Sequence, residues 1–507
     1  MQILAYQPAL RPALPCIYGP LEYRILREQL ERIDAILSES KLDDEFLALS
    51  IAEQGVEVKK LTAKAAERFV HTCALVLRAN IARGLVGLSH REFCVRVTDS
   101  ALLQWFLHLG GLDQLETFAK SSSGRFGQWV SAEGMRKINE RLVILAGASG
   151  ANGEGCFGLE KPVDCTEAFF DTTCQKANIH FPVDWVLLRD AVRTLMKATL
   201  CIRRMGIKER MPQEPEDFLR DINKLCMAMS AQWRSANSMK GRKRVLRVMK
   251  KLVKRVAAHA RSHRDALENR LEQSTLSGGQ ARVIIERIDG VLKQLPAAIK
   301  QAHERIIGGR LVDNADKILS LYDEDIHVIV RGKSGAEVEF GNKLSLVESR
   351  QGLVLTYELH QDNPSDSALV VPLARRMTYD LHLPLKAMWG DRGTQSKKNE
   401  TWLEAHGIQS GLCPRDPEEL AQKLQEPGAR EGMKRRAGTE ARIAIFKNVF
   451  MGSPTRGKSF TARNQACGWA VLAHNLWVLA RLPKAKARKQ NRPPPEDATD
   501  SDLRQAA

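Results

Sequence analysis

Apolar residues recur at spacings of three and four over most of the first 320 positions, as in amphipathic helices. They alternate at a spacing of two in the stretch that begins at Ile326. Between the two regimes lies a short island, Val163 to Cys174. It is rich in β-branched, aromatic and small residues and reads as a strand. The chain must therefore combine long helical regions with a sheet, and the expected fold class is α/β.

Helical patterning begins at Leu21 and continues through Ala63–Arg83 and Ser89–Leu109, with Ser89 and Ser131 placed as helix N-caps. Residues 1–145 read as an all-helical N-terminal domain, with helix-turn-helix-like DNA binding as the functional expectation. Residues 146–160 are glycine-rich and read as a linker; they lack the GxxxxGK[ST] spacing of a phosphate-binding loop. Residues 191–320 are helical again. Lys240 to Arg264 holds eleven Lys or Arg and no Asp or Glu, with Val245, Leu246, Met249, Leu252, Val253 and Val256 at helical spacing. Those charges repel one another and a phosphate backbone relieves them, so Arg247, Lys251 and Lys254 are candidate DNA contacts.

From Ile326 the segments IHVIVRG, VEFGNKLSLVES and LVLTYELH alternate between turn signals and read as a three-stranded antiparallel meander. A helix follows over Asp366–Tyr379, and LPLKAMWGDRG ends a short apolar strand at Asp391. Ala466 to Leu482 is the most apolar run. With His474 and Asn475 inside it, a buried helix fits better than a membrane span. The last residues, 483–507, read as a disordered tail.

At 507 residues, two to four domains are expected. The net charge of +17 favours a polyanionic partner, nucleic acid before membrane. Ten scattered cysteines form no CxxC pair, which argues against a zinc site or disulfide framework and for reduced thiols in cytoplasm. The opening residues show no signal-peptide pattern.

Three acids stand out. Asp171 lies inside the apolar strand, where a carboxylate is costly unless it is paired or holds a metal; Asp164 competes but sits at the strand's start. Asp391 ends a strand before a glycine turn, a place where α/β proteins put chemistry. Glu440 lies in the basic run Lys434–Phe450. If that run is a helix, Arg436 and Lys447 fall within roughly 40° of the Glu440 direction. A surface helix laced with ion pairs is the competing reading.

In their order and spacing, DTTCQKANIHFPVD (171–184), VEFGNKLSLVE (338–348), DNPSD (362–366), GDRGTQS (390–396), RRAGTEARIAIFK (435–447) and GWAVLAHNLWVLARL (468–482) resemble bacterial insertion-sequence transposases of the DDE type. The likeness is greatest to the loosely classified ISNCY group. The resemblance implies a ribonuclease-H-like core, a mixed sheet with helices on both faces. The core would be split into 161–190 and 321–482 by a helical insertion at 191–320. It implies Asp171, Asp391 and Glu440 as the catalytic acids, on the first strand, after the fourth strand and on a following helix. They would hold two Mg²⁺ or Mn²⁺ ions. Hard ions want carboxylate oxygens, and two of them about 4 Å apart activate the attacking oxygen and stabilise the leaving one. Arg436 and Lys447 match the family's basic positions, and Lys343 is a further candidate DNA contact. The implied partners are double-stranded DNA, at element ends and at the target, and further copies of the chain in a dimer or higher oligomer. No membrane is implied; the expected location is the bacterial cytoplasm, at the nucleoid. The chain departs from the pattern at Met433 and Thr394, where related enzymes commonly carry Tyr and an aromatic. A DNA-binding protein without catalysis and a purely hydrolytic nuclease are the alternatives.

Overall fold

The structure, a computed structural model, describes Ala5 and residues 13–110, 115–150, 153–232, 238–333, 336–452, 454–455 and 457–485. Most of the expected tail, 486–507, lies outside the described residues, as does most of the lead before residue 13.

The described residues contain one mixed sheet of six strands: β1 (Glu167–Lys176), β2 (His327–Lys333), β3 (Ala336–Glu348), β4 (Val354–Leu359), β5 (Ala387–Gly390) and β6 (Gln409–Leu412). β1 is central. It pairs antiparallel with β3 on one side and parallel with β5 on the other; β6 follows β5 in parallel, and β3 also pairs antiparallel with β2 and β4. The meander is thus β2–β3–β4, and the order β4-β3-β1-β5-β6 is compatible with a ribonuclease-H-like core. Because β2 is an additional strand, Asp391 follows the fifth strand in chain order rather than the fourth. β1 starts at Glu167, later than Val163: Asp164 accepts from the Thr166 N–H (2.9 Å) and hydroxyl (2.6 Å), a local turn that competes with strand pairing.

Seven helices precede the sheet among the described residues: α1 (Leu21–Ser40), α2 (Leu42–Glu53), α3 (Ala63–Val86), α4 (His90–Asp99), α5 (Ala101–Phe106), α6 (Lys120–Phe126) and α7 (Ala132–Gly147). Ser89 and Ser131 cap α4 and α7 through their hydroxyls, and Ser89 forms a full capping box with Glu92. The expected helix Ser89–Leu109 is two, because Ser100 takes an extended conformation and caps α5.

Between β1 and β2 stand α8 (Asp184–Arg204), α9 (Pro215–Gln232), α10 (Ser238–Asn269) and α11 (Gly278–Ala302). They close on an apolar core of their own, built from Leu188, Leu195, Phe218, Leu246, Val253 and Ile288 among others. After β4 come α12 (Asp366–Arg375), α13 (Lys397–Ala405), α14 (Pro417–Lys423), α15 (Ala429–Ala437), α16 (Thr439–Ile445) and α17 (Phe460–Arg481).

α17 is the helix on which both halves of the core are built. Cys467, Ala470, Val471 and Ala473 pack with Leu344, Leu346 and Tyr357 of the sheet. Its other side, with Trp469, Leu472 and Leu476, joins Leu30, Phe46, Leu77 and Leu142 of the N-terminal helices. The helices of 21–147 are therefore cored together with the sheet. The glycine-rich stretch is also tied down: Phe157 and Leu159 are buried in this core, and Leu159 bridges to Lys484. Among the described residues α3 alone is long and apolar enough to cross a membrane, and most of it is buried here as a core helix.

Truncating Leu472, which is fully buried at the centre of α17, tests that shared core. Leu472→Ala is expected to cost about 2–5 kcal/mol. Amide exchange should rise in α1–α3 and in β3–β4 together; loosening of one without the other would show two separate cores.

Candidate functional site

Strand register sets the site. Phe169 pairs with Glu348 of β3 on one side and Trp389 of β5 on the other. Successive side chains of a strand alternate faces, so Phe169, Asp171 and Thr173 point one way. Two residues beyond the Phe169–Trp389 pair, Asp171 comes alongside Asp391, which follows the last residue of β5. The pairing thus delivers two carboxylates side by side.

The face they share is crossed by α15 and α16, and three basic side chains meet it in order. The Arg435 guanidinium lies 4.6 Å over the Phe169 ring, itself stacked on Trp389. Arg436 Nη2 reaches Asp171 Oδ2 at 3.4 Å and Asp391 Oδ2 at 4.0 Å. Lys447 Nζ donates to Thr173 Oγ1 at 3.2 Å.

Glu440 is exposed on α16, close enough for its charge to act on Asp171. The run Lys434–Phe450 is not one regular helix. α15 stops at Ala437, Gly438 stands between it and α16, and Phe446–Met451 is wound as a π-helix. Glycine is a poor interior helix residue, and the π turn alters the angle per residue. The ideal-helix angles expected from sequence therefore do not apply, although Arg436 and Lys447 both come to β1.

Asp391 is fixed by its turn. Its Oδ1 accepts from the Gly393 N–H at 2.9 Å, and its carbonyl accepts from the Thr394 hydroxyl at 2.5 Å. A Cβ at position 393 would come within 3.2 Å of that Oδ1 and 3.3 Å of Asp366 Oδ2, so a side chain there would press on both carboxylates. Thr394 is buried and Met433 packs against the Phe169–Trp389 pair. Both departures from the family pattern are packing positions here.

Asp366 is the carboxylate that sequence reasoning missed. It opens α12, directly after Pro364 and Ser365, where an acid is explained by helix-start chemistry alone. Lys343 does not join Arg436 and Lys447. It is paired in register with Cys174, on the other face from Asp171, and its ammonium is held by Asp366 (2.8 Å) and the Pro364 carbonyl (2.6 Å). The α10 residues Arg247, Lys251 and Lys254 are exposed on a helix that packs against α8, α9 and α11, away from the acids' own strands.

Burial pushes the Asp171 carboxyl up to about 6. Arg436 and the Thr172 N–H oppose the rise, and the charges of Asp391 and Glu440 add to it. Desolvation outweighs the guanidinium at this position. The oxygens of Asp171 and Asp391 converge on one cationic group, so the donor chemistry fits a hard cation between them. Among the described residues, though, no three His, Cys, Asp or Glu side chains are close enough to form a ready ligand set. Arg436 supplies the cation, and Glu440 stands outside.

Residues 320–476 match the family described as Transposase DDE domain. That match supports a DDE transposase; it takes in Asp391 and Glu440, while β1 with Asp171 lies before it. No curated protein and no solved structure matches the chain.

The raised Asp171 carboxyl has a stability consequence. Between the ordinary range near 4 and its folded value near 6, the folded protein binds more protons than the unfolded one. Stability therefore falls as pH rises through that window, and the cost is fully present above it. Asp171→Asn should raise the melting free energy at pH 7.5 by an amount on the order of 1–3 kcal/mol, with the gain gone below about pH 4. Melting curves of both proteins across pH check it; a pH-independent difference would mean that the carboxyl is not raised.

Proposed function

We propose that this chain is a DDE transposase, of ISNCY-like kind, that binds the ends of an insertion sequence, cleaves them, and joins the freed 3′ ends to target DNA. The observation that carries the reading is the Asp171–Asp391 pair, drawn together by strand register under Arg436, with Glu440 on the helix that crosses them. The Transposase DDE domain match over 320–476 supports it.

Asp171, Asp391 and Glu440 would hold Mg²⁺ or Mn²⁺. Two such ions supply an activated attacking oxygen and a stabilised leaving oxygen in phosphodiester chemistry. The chain's own residues do the rest. The Gly393 N–H and the Thr394 hydroxyl hold Asp391 and its turn in place. Arg436 partly balances the acids in the free protein and turns to a phosphate when DNA arrives; Lys447, along the same strand face, takes a neighbouring phosphate. Water attacks first at the element end, and the 3′-hydroxyl released then attacks the target strand, without a covalent protein–DNA intermediate.

Affinity for the duplex comes largely from α10. Arg244, Arg247, Lys251, Lys254, Arg255 and Arg261 are exposed, and none forms an ion pair with another described residue. Arg264, at the end of the run, is neutralised by Asp265, Glu268 and Asp289. Over the 17 steps from Arg244 to Arg261 the helix rises about 25 Å, enough to follow several phosphates. The element end would be engaged by a dimer or higher oligomer at the bacterial nucleoid.

Single-turnover cleavage of an end-bearing duplex tests the acids. Asp171→Asn and Asp391→Asn should each lower cleavage by more than the roughly 100-fold typical of losing an outer partner of a metal ligand. Duplex binding should survive in both, and Asp164→Asn should stay active. Glu440→Gln should lose chemistry at every Mg²⁺ concentration. Lys447→Ala should weaken end binding and recover in excess DNA. Hydrolysis without joined products would make the chain a nuclease, and binding without cleavage would make it a DNA-binding protein.

The α10 assignment is read from salt dependence. Replacing Arg247, Lys251 and Lys254 together by Ala should flatten the slope of log affinity against log salt by about three. An unchanged slope would mean that this face meets solvent only.

A further inference from the structure

Glu348 ends β3, where it pairs in register with Phe169 and where the β3–β4 ladder carries an irregularity between Val347 and Glu348. It is 5% exposed. Its Oε1 accepts from Arg435 Nη1 and Nη2, both at 3.0 Å, and from the Thr439 hydroxyl at 2.8 Å. Its Oε2 lies 3.9 Å from Arg442 Nη1. Arg435 also donates to the carbonyls of Arg350 (2.9 Å) and Ser349 (3.0 Å). Gly352, at φ +91°, leaves room for the Arg442 guanidinium, which a side chain there would overlap.

One buried carboxylate thus grips residues on both sides of the α15–α16 joint. Arg435 is adjacent to Arg436, Thr439 is adjacent to Glu440, and Arg442 is two residues beyond. The joint needs such a grip. Gly438 provides no side chain, α16 has seven residues and no side-chain N-cap, and Thr439 is its one buried residue. Apolar anchoring lies at the far end, in Ile443 and in Phe446, Phe450 and Met451 of the π-helix that continues α16, so the first turn, which carries Glu440, is held by Thr439 and its polar contacts. A buried ion pair is an expensive way to hold a helix down, since well-packed apolar residues do so at least as well. Its best-attested use is to specify register.

We propose that Glu348 is a positioning residue: by holding Arg435 of α15 together with Thr439 and Arg442 of α16 it sets the angle of the α15–α16 joint, so that Arg436 meets the acid pair and Glu440 comes within electrostatic reach of Asp171. This rests on the acid-site reading above. Glu348 touches neither metal nor DNA. It acts through the helix, one tier of the sheet below the reacting groups.

The experiment compares wild type, Glu348→Ala and Glu348→Gln, full length and free of DNA. Amide exchange is followed over residues 439–451, and Mn²⁺ binding is followed by electron paramagnetic resonance, with Asp171→Asn marking the relevant site. In Glu348→Ala, exchange over 439–451 should rise while α17 stays protected, and Mn²⁺ affinity should fall roughly 10–100-fold, the range for outer partners of metal ligands. Glu348→Gln keeps an acceptor for Arg435 and Thr439 and should recover most of both losses. Unchanged exchange in Glu348→Ala would overturn the proposal, as would faster exchange with unchanged Mn²⁺ affinity. Should Glu348→Ala unfold globally, the small residual loss in Glu348→Gln decides: faster exchange confined to 439–451 and paired with a smaller fall in Mn²⁺ affinity supports the role, and exchange that rises beyond that segment, or not at all, overturns it. Wild-type protein without Asp171-dependent Mn²⁺ binding would sink the acid-site reading instead, and exchange over 439–451 would still tell whether Glu348 fixes the helix.

Discussion

A carboxylate in the middle of a central strand depends on the cation that meets it. Asp171 loses most of its water, and what compensates is the Arg436 guanidinium at 3.4 Å and the N–H of Thr172 at 2.7 Å. The compensation is partial, which is why the carboxyl is pushed up to about 6. The rest of the site follows from where that guanidinium must be. Arg436 reaches Asp171 only if α15 lies across β1, and α15 lies there because Gly432 lets it settle directly on Trp389, where a side chain would collide with the indole ring. Trp389 in turn stacks on Phe169. Packing one tier below the acids thus delivers the charge to them.

This division of labour recurs along the strand. In the lowest tier Glu348, Phe169 and Trp389 meet Arg435, in the next Asp171 and Asp391 meet Arg436, and in the third Thr173 meets Lys447. The first tier sets one buried carboxylate, Glu348, against two guanidiniums, those of Arg435 and Arg442. The second is under-compensated, with two acids facing one guanidinium. A fold seeking stability alone would not leave the second tier short of cations, since unmatched buried charge is the costlier kind. Residual strain of this sort concentrates where a protein exchanges one counter-charge for another.

Much of the arrangement could be read from the chain before any coordinates. Asp171 was visible because an acid inside an apolar, β-branched run breaks the local rule, and Asp391 because a glycine turn follows it. The basic character of the Glu440 segment was visible too, but its shape was not. Gly438 and the π turn at Phe446–Met451 spoil the ideal helical angle, and periodicity alone cannot register a change in winding. Asp164 misled the start of β1 because its turn-forming hydrogen bonds to Thr166 leave no mark on hydropathy. Glu348 left no signal at all. An acid at the end of a strand, followed by Ser and Arg, looks like a solvent-facing terminus, and its burial comes from α15, some 80 residues downstream. Lys343, a candidate DNA contact by sequence, is turned by the alternation of β3 to Asp366 on the opposite face.

The same reasoning explains why the core is shared while the insertion is not. α17 comes last among the described elements, yet it carries apolar residues on both sides: Cys467, Ala470 and Val471 toward the sheet, and Trp469, Leu472 and Leu476 toward the N-terminal helices. An amphipathic helix with a single apolar stripe could have served one partner; one apolar nearly all round has to be enclosed. The sheet face and helices α1–α3 and α7 therefore come together around it. α8 to α11 have no such common element and close on themselves, which leaves the basic side of α10 exposed. A self-cored helical unit can carry many exposed cations at little cost to the half that holds the acids, because repulsion along α10 is screened by solvent and does not reach a shared interior. The uncompensated charge of α10 and the charge that balances the acids are thereby kept on separate structural units.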